Sequence, residues 1–379
     1  METRKLYYED CHLREFDAVV TGTKEDKKGS WVCLDATAFF PEGGGQAWDL
    51  GYLNEEPVLE VKEADGIVWH LLKEIPAVGA SVKGKLDWVR RLDLMQQHTG
   101  EHIVSGIIHK MFGYQNVGFH VGAEITTIDF DGMIPQDALR QIEEQANQAI
   151  YENLPVNCWY PEESILATLP YRTKKQLPWP VRIVEIPGYD MCACCGVHVK
   201  QTGEVGIIKL LSCVKFHQGV RIEMTCGARA WNLLWNIFEQ NRQVSQAFSA
   251  KILETGEAAQ RMNEALAQEK FRSNNLQSQV FDTVAEKLGG QEKPLYFTEG
   301  LPSGQVRELA DKIAKVCAGN AAVFSGNDRE GYSLCLVGEL SEKGKALTQT
   351  LGGRGGGKPG FFQGSTNAKQ DLIAAFFNQ

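Results

Sequence analysis

No stretch of about 20 apolar residues runs anywhere in this 379-residue chain, and the start METRKLYYEDCHLREFD carries no apolar core of a secretory signal. These absences argue against a membrane-spanning helix and a signal peptide, and the expectation is a cytoplasmic protein. Positive charge is also in short supply. The net charge of −9 excludes a protein that coats polyanions indiscriminately, although it leaves room for local basic contacts. Three basic stretches stand out, KGKLDWVRR (83–91), YRTKK (171–175) and GGRGGGKPG (352–360), and each is expected to be a solvated face. There is no internal repeat and no low-complexity tail, so a solenoid or an array is excluded. The ten cysteines, in a reducing compartment, read as thiols or metal ligands rather than as a disulfide framework. Cys11, Cys33, Cys158, Cys213, Cys226, Cys317 and Cys335 are isolated and expected to be small core residues. Only Cys192, Cys194 and Cys195 cluster.

The length calls for about two to four domains. Residues 1–86 alternate apolar and polar side chains in short runs punctuated by Gly, Pro and acidic turns, which predicts a small antiparallel β-barrel. Residues 87–229 mix helix and strand patterns, giving an α+β domain. Within it DLMQQHTGEHIVSGIIHKMF is expected to be a helix with an apolar stripe at Leu94, Ile103, Ile107 and Met111. PQDALRQIEEQANQAIYENL (135–154) is a second amphipathic helix, opened by Pro135. Residues 230–289 are proline-free and rich in Gln, Glu and Ala, which predicts a helical spacer or short coiled coil interrupted at Thr255-Gly256. Residues 290–379 alternate strand and helix patterns and form a small α/β domain with one Gly-rich loop.

Two motifs bear on chemistry directly. His98-Thr99-Gly100-Glu101-His102 and Cys194-Cys195-Gly196-Val197-His198 each place two ligand-type side chains at i, i+4. On a helix that spacing puts both on one face, within reach of one cation. Three imidazoles and a thiolate suit zinc better than magnesium or calcium. Cys194 is the preferred thiolate because it shares the spacing with His198, with Cys192 and Cys195 left open as alternatives. Glu101 also completes His-x-x-Glu-His, the pattern of zinc peptidases in which the glutamate activates water. That reading needs a further carboxylate ligand and leaves the Cys-His cluster unexplained. The plain alternative for Glu101 is a solvent-facing helix residue. A third motif, TAFFPEGGGQ (37–46) followed by Asp49-Leu50-Gly51, offers three glycines that let backbone approach a ligand, with Gln46 supplying a donor and an acceptor.

These three motifs, in this order, resemble the editing region of alanyl-tRNA synthetase and its free-standing AlaX-type trans-editing relatives. TAFFPEGGGQAWDLG, HTGEH and CCGVHV correspond to the family's three signatures, and QTGEVGIIKL and GVRIEMTCGARA also match. GGRGGGKPGFFQG resembles the Gly-rich segment of the synthetase's small C-terminal domain, so the resemblance covers nearly the whole chain. Phe40 stands where the family often has tyrosine, and Cys195 and Val197 replace its usual glycine and threonine. These departures leave the ligand set intact. The barrel pattern begins almost at Met1, with no aminoacylation domain before it, and the chain is expected to edit rather than charge.

The resemblance implies hydrolysis of the ester joining a wrong amino acid, serine or glycine, to the terminal ribose of alanine tRNA. A pocket that excludes methyl groups cannot strongly reject an isostere with one more hydroxyl, which is why a second sieve is needed. His98, His102, Cys194 and His198 are the implied ligands of one Zn2+ per chain. Thr37, by its place in the motif, is expected to meet the serine hydroxyl, its plain alternative being a strand threonine without ligand contact. Gly43, Gly44, Gly45 and Gln46 are expected to line the ester or ribose, and Glu101 is the obvious carboxylate for the reaction. Arg354 and Lys358 are expected to hold RNA backbone, the plainer reading being a surface loop. The tRNA(Ala) acceptor end is the expected partner, and the helical spacer or C-terminal domain suggests a homodimer. Two other functions compete: an HxxEH metallopeptidase, and a non-catalytic tRNA-binding scaffold with structural zinc.

Overall fold

The computed structural model describes every residue except Met1, Lys174, Lys175, Gln176, Pro178 and Gln379. The chain divides into two compact units, residues 1–243 and 244–379. The basic stretch 171–175 lies in part outside the described residues.

The first unit opens with a seven-stranded antiparallel sheet. Its strands run Glu56–Val58, Gly51–Leu53, Ser81–Leu86, Glu15–Asp26, Gly29–Leu34, Ile67–Leu72 and Glu60–Ala64. The two edge strands are consecutive in sequence, with only Leu59 between them, so the sheet curls almost into a closed barrel. Alternation drives this. Phe16, Ala18, Val20, Val82 and Leu86 point inward while their neighbours face out, and they meet Val32, Leu34, Phe39, Val61 and Leu72 in one core. The N-terminal part is therefore the expected antiparallel barrel within an α+β chain.

The long helix Trp88–Phe112 follows directly, capped by the Asp87 side chain and ended by Gly113 in the left-handed region. It is not the one-sided helix the pattern suggests. Of the stripe, Leu94, Ile103 and Ile107 are buried and Met111 is half-buried, but His98, Thr99, Gly100, Glu101 and His102 are buried too. The helix is enclosed because sheets press on it from more than one side. One is a four-stranded antiparallel sheet, Asn116–Val121, Thr126–Phe130, Gly219–Cys226 and Ile208–Phe216. The other is three-stranded, Asn157–Trp159, Ile183–Ile186 and Asp190–Ala193. Ile103, Ile107, Ile128, Ile142, Ile150, Ile222 and Met224 share the resulting core, with the amphipathic helix Ala138–Glu152 covering it.

Barrel and helix are tied by a fully buried ion pair. Arg91 donates from Nε to both Asp49 oxygens at 2.9 Å, and Asp49 also accepts from Phe40 N at 2.6 Å. A further Arg91 nitrogen donates to Ala38 O. The segment carrying the three glycines is thus pinned at both ends to the start of the histidine helix. Arg91 is accordingly not part of a solvated face, contrary to the expectation for 83–91.

The second unit holds most of the spacer and the C-terminal part. Helices Gly227–Ala247 and Thr255–Leu288 replace the expected interruption at Thr255-Gly256; the break falls just before, and those two residues open the second helix, where a glycine costs little. A five-stranded mixed sheet follows, ordered Leu295–Thr298, Ala321–Asn327, Gly331–Val337, Phe361–Thr366 and Arg354–Lys358. Its only parallel pair is bridged by helix Ser303–Val316, as a crossover requires. Arg354–Lys358 is a fully exposed edge strand hairpinned to Phe361–Thr366, and not an irregular loop. Among the described residues no helix is long and apolar enough to cross a membrane. Of the isolated cysteines Cys33, Cys226, Cys317 and Cys335 are buried, Cys11 and Cys213 half-buried, and Cys158 is exposed rather than in the core.

Candidate metal centre and cavity

His98 and His102 lie one turn apart on the enclosed helix, and the segment after strand Asp190–Ala193 brings Cys194 and His198 against them. Their ligand atoms all lie within 4.8 Å of one another. The rings of His98 and His198 have centroids 4.6 Å apart, and those of His102 and His198 4.7 Å. Cys194 Sγ is 3.4 Å from His98 Nε2. A tetrahedral zinc with N and S ligands would put those atoms about 3.6 Å apart. His198 Nε2 is buried and without a hydrogen-bond partner. A buried imidazole nitrogen left bare in this way is costly unless something binds it. The donor set, its spacing and this orphan atom fit zinc.

Of the three clustered cysteines, Cys194 alone joins all three histidines. Cys192 groups with the other side of His102 and with Asp190, whose oxygens already accept from Arg172 at 2.7 and 2.9 Å, and Cys195 is exposed. Burial pushes the Cys194 thiol up, but the neighbouring imidazoles, His98 foremost, outweigh it and hold it well below the usual thiol range. His198 is driven well below the usual imidazole range by burial and by the neighbouring His98. Burial acts against a charged His102 too, yet its bond to Asp190, with Cys194 close by, raises it well above.

The outer partners are as ordered as the ligands. His102 Nδ1 is 2.8 Å from Asp190 Oδ2, and His98 Nδ1 is 2.8 Å from Gln46 Oε1. Thr99 Oγ1 lies 3.4 Å from His198 Nδ1. The backbone loop at Cys194–Gly196 is gripped from outside. Arg182 donates to the carbonyls of Cys194 and Gly196 at 3.0 and 2.8 Å, and Tyr8 donates to that of Cys195 at 2.6 Å. Composition gave no signal for Tyr8, Arg172, Arg182 or Asp190, since their partners are contributed by distant segments.

These residues floor a cavity of about 640 Å³, whose lining includes Gly44, Gly45, His98, Glu101, His102, Asn116, Phe119, Tyr160, Arg182 and Cys194. That is ample for a small ligand. Glu101 does not face solvent: it is 5% exposed and accepts from Ser105 Oγ at 2.6 Å and from Asn116 Nδ2. Gly45 takes φ +83°, and a Cβ there would lie 2.6 Å from the Phe119 ring, so glycine is needed to bring the loop to the cavity edge.

Three expected residues are placed elsewhere. Thr37 is fully buried in the barrel and does not line the cavity. Its hydroxyl accepts from Phe39 N at 3.1 Å and lies 2.9 Å from His70 Nε2. His70 Nδ1 donates to Val32 O, so Nε2 is the acceptor and the single Thr37 hydroxyl proton is committed to it. Gln46 is 1% exposed and sits behind His98, outside the lining, as does Gly43. The motif holds small and polar residues in order, but its backbone turns Gln46 away from the cavity.

Residues 181–223, which include Cys194 and His198, match the family described as the threonyl and alanyl tRNA synthetase second additional domain. The whole chain is 31% identical over 399 residues to the alanyl-tRNA editing protein AlaX-L of Pyrococcus horikoshii, covering 97% of this chain and 96% of that protein. It is also 32% identical to the alanine–tRNA ligases of Pyrococcus abyssi and Thermofilum pendens, over 96% of this chain but 42% of each ligase. The match and the fold together define a protein of the aminoacyl-tRNA editing class. The chain belongs to the AlaX-type alanyl-tRNA editing family, in its long form.

Proposed function

We propose that this chain is a zinc-dependent trans-editing hydrolase that deacylates mischarged alanine tRNA, Ser-tRNA(Ala) and Gly-tRNA(Ala), in the cytoplasm and without aminoacylating. The observation that carries the reading is the convergence of three imidazoles and one thiolate, of which His98, His102 and Cys194 line a cavity that also holds a buried carboxylate. The four-part layout of barrel, editing domain, helical spacer and C-terminal domain belongs to the same reading, as does a homodimer.

His98, His102, Cys194 and His198 would hold the metal. Zinc held there would supply a fixed positive charge that polarises the ester carbonyl. Glu101, fixed by Ser105 and Asn116, takes the proton of the attacking water. Water adds to the ester carbon, the bond to the ribose oxygen breaks, and Glu101 returns the proton it took to that oxygen, which leaves as the ribose hydroxyl. The Gly44–Gly45 backbone at the cavity edge accepts the terminal sugar. Serine selection falls to polar groups lining the cavity rather than to Thr37. A buried polar group left unpaired by alanine disfavours that substrate.

Preformed Ser-tRNA(Ala) and Ala-tRNA(Ala) incubated with the wild-type chain test this directly. Fast loss of serine, slow loss of alanine and background decay with the His98→Ala, Cys194→Ala double variant are expected. Background decay of serine with the wild type would remove the proposal. Cys194→Ala alone separates the competing peptidase reading, which demands Glu101 and is indifferent to Cys194. The deacylase loses activity when either residue is changed.

A further inference from the structure

Gln46 belongs to the motif that suggested substrate contact, yet it is buried and lies off the cavity. Its side-chain carbonyl Oε1 has two neighbours: Val197 N at 3.2 Å and His98 Nδ1 at 2.8 Å. Val197 N is a backbone amide and can only donate. That fixes the orientation of the Gln46 amide, because the NH2 group in the same place would set donor against donor. With Oε1 as the shared acceptor, His98 Nδ1 must carry the hydrogen. The lone pair of His98 then resides on Nε2, which is the atom facing Cys194 Sγ at 3.4 Å. A single glutamine therefore links three separate segments: the glycine loop of the barrel, the histidine helix and the segment joining Cys194 to His198.

The geometry points to Gln46 as a positioning residue of the metal centre: it selects the His98 tautomer that offers Nε2 to the metal, and it does not bind substrate. The inference rests on reading the cluster as a zinc site, a reading that metal analysis of the wild-type chain tests by itself, with one zinc per chain expected. Outer-shell partners of this kind fix ring orientation and typically matter by about 10–100-fold in metal affinity.

Three full-length proteins are compared: wild type, Gln46→Leu and Gln46→Glu. The glutamate keeps the acceptor oxygen and the leucine removes it at similar volume. Zinc dissociation constants are read by competition with a chromophoric chelator, and melting temperatures of the zinc-free forms control for folding. Gln46→Leu is expected to bind zinc about 10–100-fold more weakly, and Gln46→Glu to stay within a few-fold of wild type. Wild-type zinc affinity in Gln46→Leu together with a raised KM for Ser-tRNA(Ala) would overturn the inference and return Gln46 to the substrate. A second measurement needs no variant. Long-range 1H–15N correlation of the zinc-free wild type, at a pH where the imidazole is neutral, should place the His98 proton on Nδ1; a proton on Nε2 overturns the inference.

Discussion

His70 shows what one buried side chain does to the molecule's response to acid. It is fully buried, donates to Val32 O and accepts from Thr37, and burial pushes its pKa down to about 4. In the unfolded chain the same imidazole takes a proton below about 6.5. Between these values the unfolded state binds a proton that the folded state refuses, so stability falls as the pH drops. The contribution is whole above about pH 6.5 and lost by about pH 4, amounting to about 3 kcal/mol at most. His70→Gln keeps a partner for Thr37 but does not titrate. Urea midpoints at pH 7 and pH 4.5, measured for both proteins, should fall more steeply in the wild type. The two proteins differ at position 70 alone, so equal slopes would contradict the assignment. Thr37 is read differently in this light: the hydroxyl expected to meet serine holds a barrel histidine instead. Nothing in the sequence reveals that, because Ile67–Leu72 supplies the partner only once the barrel has closed.

The enclosed helix Trp88–Phe112 is the element on which the site depends, and close approach is what makes it work. Gly106 lies against the turn that presents Asp190; a Cβ there would stand 2.3 Å from Tyr189 O and 2.7 Å from Asp190 Cβ. Replacing an interior helical glycine by alanine normally gains about 0.5–1 kcal/mol. Here backbone would have to move, and overpacking of this kind costs about 1–3 kcal/mol, so Gly106→Ala is expected to destabilise. The shift should also carry Asp190 away from His102 Nδ1 and weaken zinc retention. Melting temperature and zinc affinity check both effects, and an unchanged value for each would show that the turn yields freely. The helix was legible from its 3.6-residue apolar period, and HTGEH named the two imidazoles that the fold brings together with Cys194 and His198. Its all-round burial was not, since that requires two sheets assembled from segments as distant as Asn116 and Cys226. Strand Arg354–Lys358 was hidden for the opposite reason. Glycine has little preference for strand, and only pairing with Phe361–Thr366 makes this segment one.

At the scale of the whole molecule, an acidic chain that acts on tRNA must concentrate its cations where the polyanion lies. The net charge of −9 makes general attraction unfavourable, so binding has to come from local groups. Most basic residues near the metal unit are already committed: Lys83 to Glu15, Arg91 to Asp49, Arg172 to Asp190 and Arg221 to Asp129. Arg354 and Lys358 stand at the two ends of an exposed edge strand, paired on one side with Phe361–Thr366, whose free edge carries only glycines between them. They are the cations proposed to meet RNA phosphate. Each phosphate contact released adds about 0.7–0.9 to the slope of log affinity against log salt. An Arg354→Ala, Lys358→Ala variant of the full chain should therefore bind tRNA(Ala) with a slope shallower by about 1–2. Its KM for Ser-tRNA(Ala) should rise, while zinc content and the rate at saturation stay at wild-type values, because neither residue belongs to the His98, His102, Cys194 and His198 cluster. Titrations across a range of salt concentrations, paired with single-turnover deacylation, separate the two effects. An unchanged slope would assign tRNA capture to groups in the first unit, around the cavity mouth, and leave the hairpin without an RNA contact.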